Sequence, residues 1–176
     1  MKHLLLMVTL LTFLPWASPK DALALQRLQV AYEHAQGEEA LKALRGLRAM
    51  TANRPTYSQY LGRLAYTKAR VDLLLLKLSD TGLKSAVAAS LRFFTGAADI
   101  WGEVLWVKAN RPVAKERAQE VRAAILKLRD DCAALKRLES ASGDEIVDGA
   151  VEATWSCASD KITDAEKLLG EMQARS

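Results

Sequence analysis

The chain has 176 residues, half of them hydrophobic, with nine glycines and four prolines. This composition excludes an intrinsically disordered chain and favours helix, because Ala and Leu dominate and helix-breaking residues are few. The net charge of +4 comes from 25 basic and 21 acidic side chains interspersed along the sequence, which argues against nucleic acid or another polyanion as the partner.

The N-terminus has the layout of a signal peptide. A positive charge at Lys2 precedes an uncharged, mainly apolar run from Leu4 to Leu14, and Pro15 follows. The run is shorter than the roughly 20 residues of a membrane-spanning helix, so we expect no integral membrane anchor. Residues 1–17 are predicted to be a cleaved signal peptide, although the Ala-Leu-Ala at 22–24 offers a later cleavage site. Residues 18–176 are predicted to form a single helical domain, periplasmic or secreted.

In the first half of the chain, apolar residues recur three and four positions apart, and no alternating run of β-branched residues indicates a strand. The pattern predicts a first helix from about Pro19 to Gln36, a break at Gly37, and a second helix that ends before Arg54. A third helix begins at Pro55. Because apolar residues lie on two of its sides, we expect it at the centre of the fold.

The second half continues the helical periodicity. A fourth helix is also apolar on two sides, so we expect it at the centre as well, and Gly96 either divides it or permits close packing. One long fifth helix is predicted from Pro112 to Leu138, with one apolar stripe and a charged outer face. A sixth helix runs from Ser142 through Cys157, and Thr163 caps a short last helix that should dock weakly. The predicted fold class is therefore all-α, with six to seven helices.

The tetrapeptide Ala-Asn-Arg-Pro occurs at 52–55 and again at 109–112, each time between two predicted helices. Apolar residues lie 12, 8 and 5 positions before each proline, as in the second helix of a tetratricopeptide unit. Before the second proline, Val87, Ala88 and Leu91 occupy the places where that family has a large, a small and an aromatic residue. Residues 25–112 thus resemble a degenerate tetratricopeptide repeat.

The chain departs from that family's pattern in two respects. Leu28 and Tyr32 lie two places out of register before the first proline, and the downstream helices are longer than the pattern allows. The resemblance implies stacked helical hairpins with a groove for a peptide or another protein. An antiparallel, up-and-down helical bundle explains the same periodicity and is the alternative.

Few residues of the chain could form a disulfide, bind a metal or act in catalysis. Cys132 and Cys157, the only cysteines, fall on apolar stripes of neighbouring predicted helices. In an oxidising compartment we expect a disulfide between them, with two separate buried thiols as the alternative. After signal-peptide removal His34 is the only histidine, so a zinc site or catalytic triad would have to be built around that single ring. We therefore expect no enzyme, no metal and no cofactor.

Tyrosines and arginines interleave on the predicted third helix, where they can line a groove for a peptide through cation–π contacts. A tryptophan near the end of the fourth helix can anchor a contact. The candidate partner-binding residues are Tyr57, Tyr60, Tyr66, Arg63, Arg70 and Trp106. Packing of the tyrosines in the core is the alternative interpretation.

These observations predict an exported helical adaptor that binds another protein or a peptide without turnover. A structural or inhibitory bundle of the cell envelope, such as an immunity-type protein, is the alternative. Exposed rings at Tyr57, Tyr60 or Trp106 on a concave surface would favour the adaptor. Burial of those rings in a compact bundle would favour the alternative.

Overall fold

The periodic apolar residues produce six α-helices in the computed structural model, which describes residues 19–79, 81–111, 113–141 and 143–174. A 3-10 turn at Arg129–Asp131 precedes α5. No strand occurs in these ranges, so the predicted all-α fold with six to seven helices is confirmed. The predicted signal peptide lies outside the described residues. The helices are α1 (Pro19–Ala52), α2 (Tyr57–Leu75), α3 (Thr81–Asn110), α4 (Ala114–Ile125), α5 (Ala133–Glu139) and α6 (Gly143–Ala174).

The two central helices are α3 and α6, which pack against each other along their lengths. Ser90 Oγ donates a hydrogen bond to the carbonyl of Ala158, 3.0 Å away, and Lys108 Nζ lies 2.6 Å from a carboxylate oxygen of Asp148. Because the residue numbers of these two contacts run in opposite senses, the pair is antiparallel. The hairpin of α1 and α2 packs against this pair, as do α4 and α5, and the result is an antiparallel bundle.

The interior of the bundle is a single apolar cluster to which all six helices contribute. Burial of large apolar side chains is the main stabilising contribution to such a fold. The largest fully buried side chains are Tyr60, Phe93, Phe94, Leu41, Leu44, Leu47, Leu83, Ile100, Ile125, Leu135, Ile146 and Ile162.

The predicted break at Gly37 is wrong, because α1 runs without interruption through this residue. A Cβ atom at position 37 would lie 2.7 Å from Leu83 Cδ2 and 2.9 Å from Leu169 Cδ1. The glycine thus permits α1 to approach α3 and α6 closely and does not form a turn. Gly96 has the same role, since α3 is undivided and a methyl group there would overlap the Leu128 side chain.

The prediction of one long fifth helix is also wrong. Helix α4 ends at Ile125, and the backbone of Cys132 is extended, with φ −139° and ψ 104°. The break redirects the chain so that Cys132 meets α6, where it forms a disulfide with Cys157 across a Cα–Cα distance of 5.6 Å. The predicted disulfide is therefore confirmed. The apolar periodicity of the sequence continues across the break because Ile125 and Leu135, on either side of it, are both buried.

The two final helices expected from the sequence are one helix, α6, which runs without interruption past Thr163. Its last turns do not dock weakly, since Ile162 and Ala165 are fully buried and Leu169 nearly so. Glu166 adds a link to α1, where its carboxylate lies 2.7 Å from Arg45 Nε. The hydrogen bond to Glu166 raises the pKa of Arg45, with a further contribution from Glu38.

Candidate protein-binding surfaces

An aromatic cluster joins α2 to the central pair. The rings of Tyr57 and Tyr60 on α2 lie 5.4 Å and 5.7 Å from that of Trp101 on α3, between centroids. Trp155 on α6 completes the cluster, 5.4 Å from both Tyr60 and Trp101. Tilted and edge-on contacts of this kind stabilise packing beyond the area that they bury. Trp155 was missed by the sequence interpretation, although its spacing from Val151 and Ala158 places it beside the buried stripe of α6.

Tyr60 is therefore a core residue, which contradicts its prediction as a partner-binding residue. Its ring is fully buried, and its hydroxyl donates a hydrogen bond to the carbonyl of Phe94 at 2.7 Å. Burial raises the pKa of the Tyr60 hydroxyl above its ordinary value of 10.0, because the phenolate would be poorly solvated. Tyr57 is half-buried, and its hydroxyl donates to the carbonyl of Ala98 at 3.3 Å.

The structure brings three of the predicted residues together on the outside of α2. Tyr66 is 57% exposed, and the guanidinium carbon of Arg63 lies 5.6 Å from its ring centroid. Arg70 forms an ion pair with Glu39 of α1. Hydrogen bonds to Tyr66 and then to Glu39 raise the pKa of Arg70 above its ordinary value. These three side chains form a polar and aromatic edge along α2.

Trp106 is exposed near the end of α3, as predicted. Its ring is 45% exposed and is covered in part by Arg111, whose guanidinium carbon lies 4.9 Å from the ring centroid. Arg111 also forms an ion pair with Glu120 of α4 at 3.0 Å. Trp106 is thus a surface aromatic held by a cation–π contact at the junction of α3 and α4.

An exposed apolar surface lies along α2. The helix begins with a capping box in which the Thr56 hydroxyl accepts from the Gln59 amide and the Gln59 side chain accepts from the Thr56 amide. Its inner face is buried against α1 and α3, but its second apolar side is exposed, contrary to the central position predicted for this helix. We call this side the outer stripe of α2: Gly62, Ala65, Ala69, Leu73 and Leu76.

The outer stripe is continuous because its members recur three and four residues apart, on one side of the helix. Leu73 is 64% exposed and Leu76, the C-cap residue, is 81% exposed. At the other end of the stripe, nothing lies within 4 Å of a Cβ atom placed on Gly62. Contiguous exposed apolar surface of this kind is typical of protein interaction sites.

Two adjoining depressions make a concave surface along the exposed side of α3. One, of about 870 Å³, lies between α3 and α6, and the other, of about 510 Å³, lies between α2, α3 and α4. Ala88 and Arg92 line both, and Arg92 forms an ion pair there with Asp131. None of the candidate aromatic residues lines either depression, so the concave surface and the exposed rings predicted for an adaptor are in different places.

The described ranges contain no group of three or more His, Cys, Asp and Glu side chains that could hold a metal ion. His34 is half-buried on α1, and its neighbour Glu33 is buried and accepts hydrogen bonds from Gln29 and Ser79. Within the same ranges, no helix combines the length and the hydropathy needed to cross a bilayer.

Comparison of the chain with protein-family models finds no match. Comparisons with curated proteins and with solved structures find no significant match either.

Proposed function

We propose that the chain is an exported, helical protein-interaction protein that binds a helix of another protein on the outer stripe of α2, without catalytic activity. The observation that carries this proposal is the exposure of an apolar stripe along α2 from Gly62 to Leu76. The disulfide between Cys132 and Cys157 supports an oxidising compartment, such as the periplasm or the exterior.

The side chains of the stripe suit a helical partner. Gly62, Ala65 and Ala69 are small, so the backbone of a second helix can approach α2 closely over about two turns. Leu73 and Leu76 then offer large side chains to grooves on that helix. This gradient from small to large residues favours one orientation of the partner.

The charged side chains on either side of the stripe indicate which charge a partner would carry. Arg63 and Arg70 lie on one edge, and Lys68 and Asp72 form an ion pair on the other, with 2.5 Å between Nζ and Oδ2. Arg70 is already paired with Glu39, whereas Arg63 has no ion pair within the described ranges. An amphipathic helix with an apolar stripe and a carboxylate that reaches Arg63 satisfies both features.

The decisive experiment is affinity capture from the native cell envelope. The wild-type chain should capture a partner, and Leu73→Asp should lose it, because the change places a charge within the apolar contact. Leu126→Asp is the matched control, since Leu126 is an exposed leucine at the end of α4, away from the stripe. Equal capture by both variants, or no specific capture by the wild-type chain, would contradict the proposal.

A photo-reactive amino acid at Ala69 gives an independent test of the same surface. It should crosslink to the captured partner, whereas the same group at the exposed Lys115 of α4 should not. Both positions are exposed on helices, so the two variants should fold equally well.

One observation favours the second candidate, a structural or inhibitory envelope bundle. Tyr60 is buried and Tyr57 is half-buried in the cluster with Trp101, which is the packing expected of that class. The two candidates differ in the capture experiment, since a purely structural bundle needs no partner on the outer stripe of α2.

A further inference from the structure

A glycine of α1 faces an arginine of α2. A Cβ atom on Gly46 would lie 2.8 Å from Nη2 of Arg63. Among the side chains that other described helices bring to this point, only Arg63 comes within 4 Å. The guanidinium therefore rests against the backbone of α1, on the edge of the outer stripe of α2 that faces α1. The Tyr66 ring also contacts it, with 5.6 Å between the guanidinium carbon and the ring centroid.

A second arginine of α2 contacts α1 in the same register. Arg63 and Arg70 are seven residues apart on α2, and Glu39 and Gly46 are seven residues apart on α1. Seven residues are about two helical turns, so the two contacts between the antiparallel helices have equivalent positions. Arg70 forms an ion pair with Glu39, whereas Arg63 meets Gly46. Helix α1 thus neutralises one arginine with a carboxylate and leaves the other facing a residue without a side chain.

The room at Gly46 does not serve the packing of the core. At Gly37 and Gly96 a methyl group would overlap buried leucines, but at Gly46 it would meet only the end of an exposed, flexible arginine. That arginine can move aside at little cost, and an alanine would gain helix propensity. The glycine therefore costs some stability, and its effect is to leave the Arg63 guanidinium beside α1 without a neighbouring carboxylate.

We infer that Gly46 and Tyr66 are positioning residues, which hold Arg63 as the docking point for a carboxylate of the partner helix. This inference rests on the function proposed above, because it concerns the edge of the same outer stripe of α2. Arg63 forms no ion pair with any residue that the structure describes, so its charge is available to a partner. Neither positioning residue needs to contact the carboxylate itself.

The neighbouring ion pair indicates the chemistry of the ligand. At Arg70, a carboxylate from a helix packed against α2 reaches the guanidinium. An Asp or Glu of the partner helix takes at Arg63 the place that Glu39 takes at Arg70. A planar guanidinium offers two parallel N–H donors, which the two oxygens of one carboxylate accept together. The acidic residue of the partner therefore lies beside its apolar stripe, on the edge that faces α1.

Two designed amphipathic helical peptides test the inference. Both carry a stripe of leucines, and the positions along one edge of that stripe are glutamate in the first peptide and glutamine in the second. The wild-type chain should bind the glutamate peptide about tenfold more tightly, which is the contribution expected from a charged hydrogen-bonded pair. Arg63→Gln should remove this preference and leave the affinity for the glutamine peptide unchanged. Leu73→Asp should weaken the binding of both peptides.

Substitutions at the positioning residues test how Arg63 is held. Gly46→Ala and Tyr66→Leu should each reduce the preference to roughly threefold, because a displaced guanidinium forms one hydrogen bond with the carboxylate in place of two. The thermal midpoint of Gly46→Ala should not fall, which separates positioning from a structural role. Gly46→Glu should abolish the preference by supplying a carboxylate from α1. Ala31→Glu is its matched control, since it adds the same charge at an exposed position 15 residues, or about 22 Å, along the helix.

The outcomes separate this inference from the function on which it rests. Equal binding of the two peptides by the wild-type chain, or a preference that Arg63→Gln retains, would overturn the inference alone. A preference that is unchanged in Gly46→Ala, or a lower thermal midpoint of that variant, would overturn the positioning role of the glycine. Binding of both peptides that Leu73→Asp leaves unchanged, or no binding of either peptide by the wild-type chain, would overturn the inference and the proposed function together.

Discussion

Reduction of the disulfide between Cys132 and Cys157 should destabilise the fold by a predictable amount. The two residues are separated by 25 positions, and both are buried. The chain-entropy model gives about 3.5 kcal/mol for a loop of this length, through the freedom that the bond removes from the unfolded chain. That is a large fraction of the roughly 5 to 15 kcal/mol that stabilises a typical domain.

The effect should begin in α5, a seven-residue helix that packs chiefly against α6, to which the disulfide joins its N-cap. Leu135 is the one buried residue of this helix, and Cys132 caps it by accepting a hydrogen bond from the Leu135 amide at 3.3 Å. We expect the amides of α5 to exchange with solvent much faster after reduction, while those of α3 change less.

The assay is urea unfolding of the wild-type protein with and without a reducing agent, followed by circular dichroism. Reduction deletes no side chain, so the difference in the free energy of unfolding between the oxidised and reduced protein contains no contribution from a cavity. The double variant Cys132→Ala, Cys157→Ala is the control, since the reducing agent should leave its stability unchanged. A difference below about 1 kcal/mol in the wild-type protein would refute the reasoning, because the entropic contribution would then be absent.

Three further predictions concern packing and charge. Gly96→Ala should destabilise the fold by about 1 to 3 kcal/mol, because overlap with Leu128 in the core outweighs the gain in helix propensity, whereas Gly62→Ala should stabilise it by up to about 1 kcal/mol, because it gains helix propensity in open space. A thermal midpoint of Gly96→Ala at or above that of the wild-type protein would contradict this. Tyr60→Phe should cost about 1 to 2 kcal/mol, because a buried carbonyl loses its donor, and the exposed Tyr66→Phe should change the urea midpoint little. Arg92 of α3 pairs with Asp131 and lowers the pKa of that carboxyl below its ordinary value of 3.8. The stability that the pair adds is therefore present above pH 3.8 and is lost as the pH falls through the lowered pKa. An NMR titration of Asp131 should find the lowered pKa, and Arg92→Gln should return it toward the ordinary value.

The failures of the sequence interpretation have a common physical origin. Gly37 was expected to end a helix, but helix ends and close approaches both favour glycine, and only Leu83 and Leu169 on other helices show which applies. Likewise, the apolar stripe through Ile125 and Leu135 is continuous in sequence although the helix is broken between them. Periodicity records which side of the chain is apolar and does not record where the chain bends.

The candidate surfaces were predicted in part. Tyr66, Arg63 and Arg70 lie together on the outside of α2, as an interleaved pattern on one helix requires. The exposure of Leu73 was not foreseen, because an apolar residue on the second side of a helix was assumed to face another helix. Whether such a neighbour exists depends on how many helices surround α2, which no local pattern contains.

Local chemistry in the sequence determined the helical class and placed the two cysteines on apolar stripes that can face each other. The spacing of apolar residues along a helix is set by about 3.6 residues per turn, so it can be read from the chain without knowledge of its neighbours. The tertiary structure alone decided that α6, and not α2, shares the centre of the bundle with α3, that Tyr60 is buried, and that α2 and the first turns of α1 keep apolar side chains exposed. Burial is a property of pairs of helices, and the pairing follows from how the whole chain minimises its exposed apolar area.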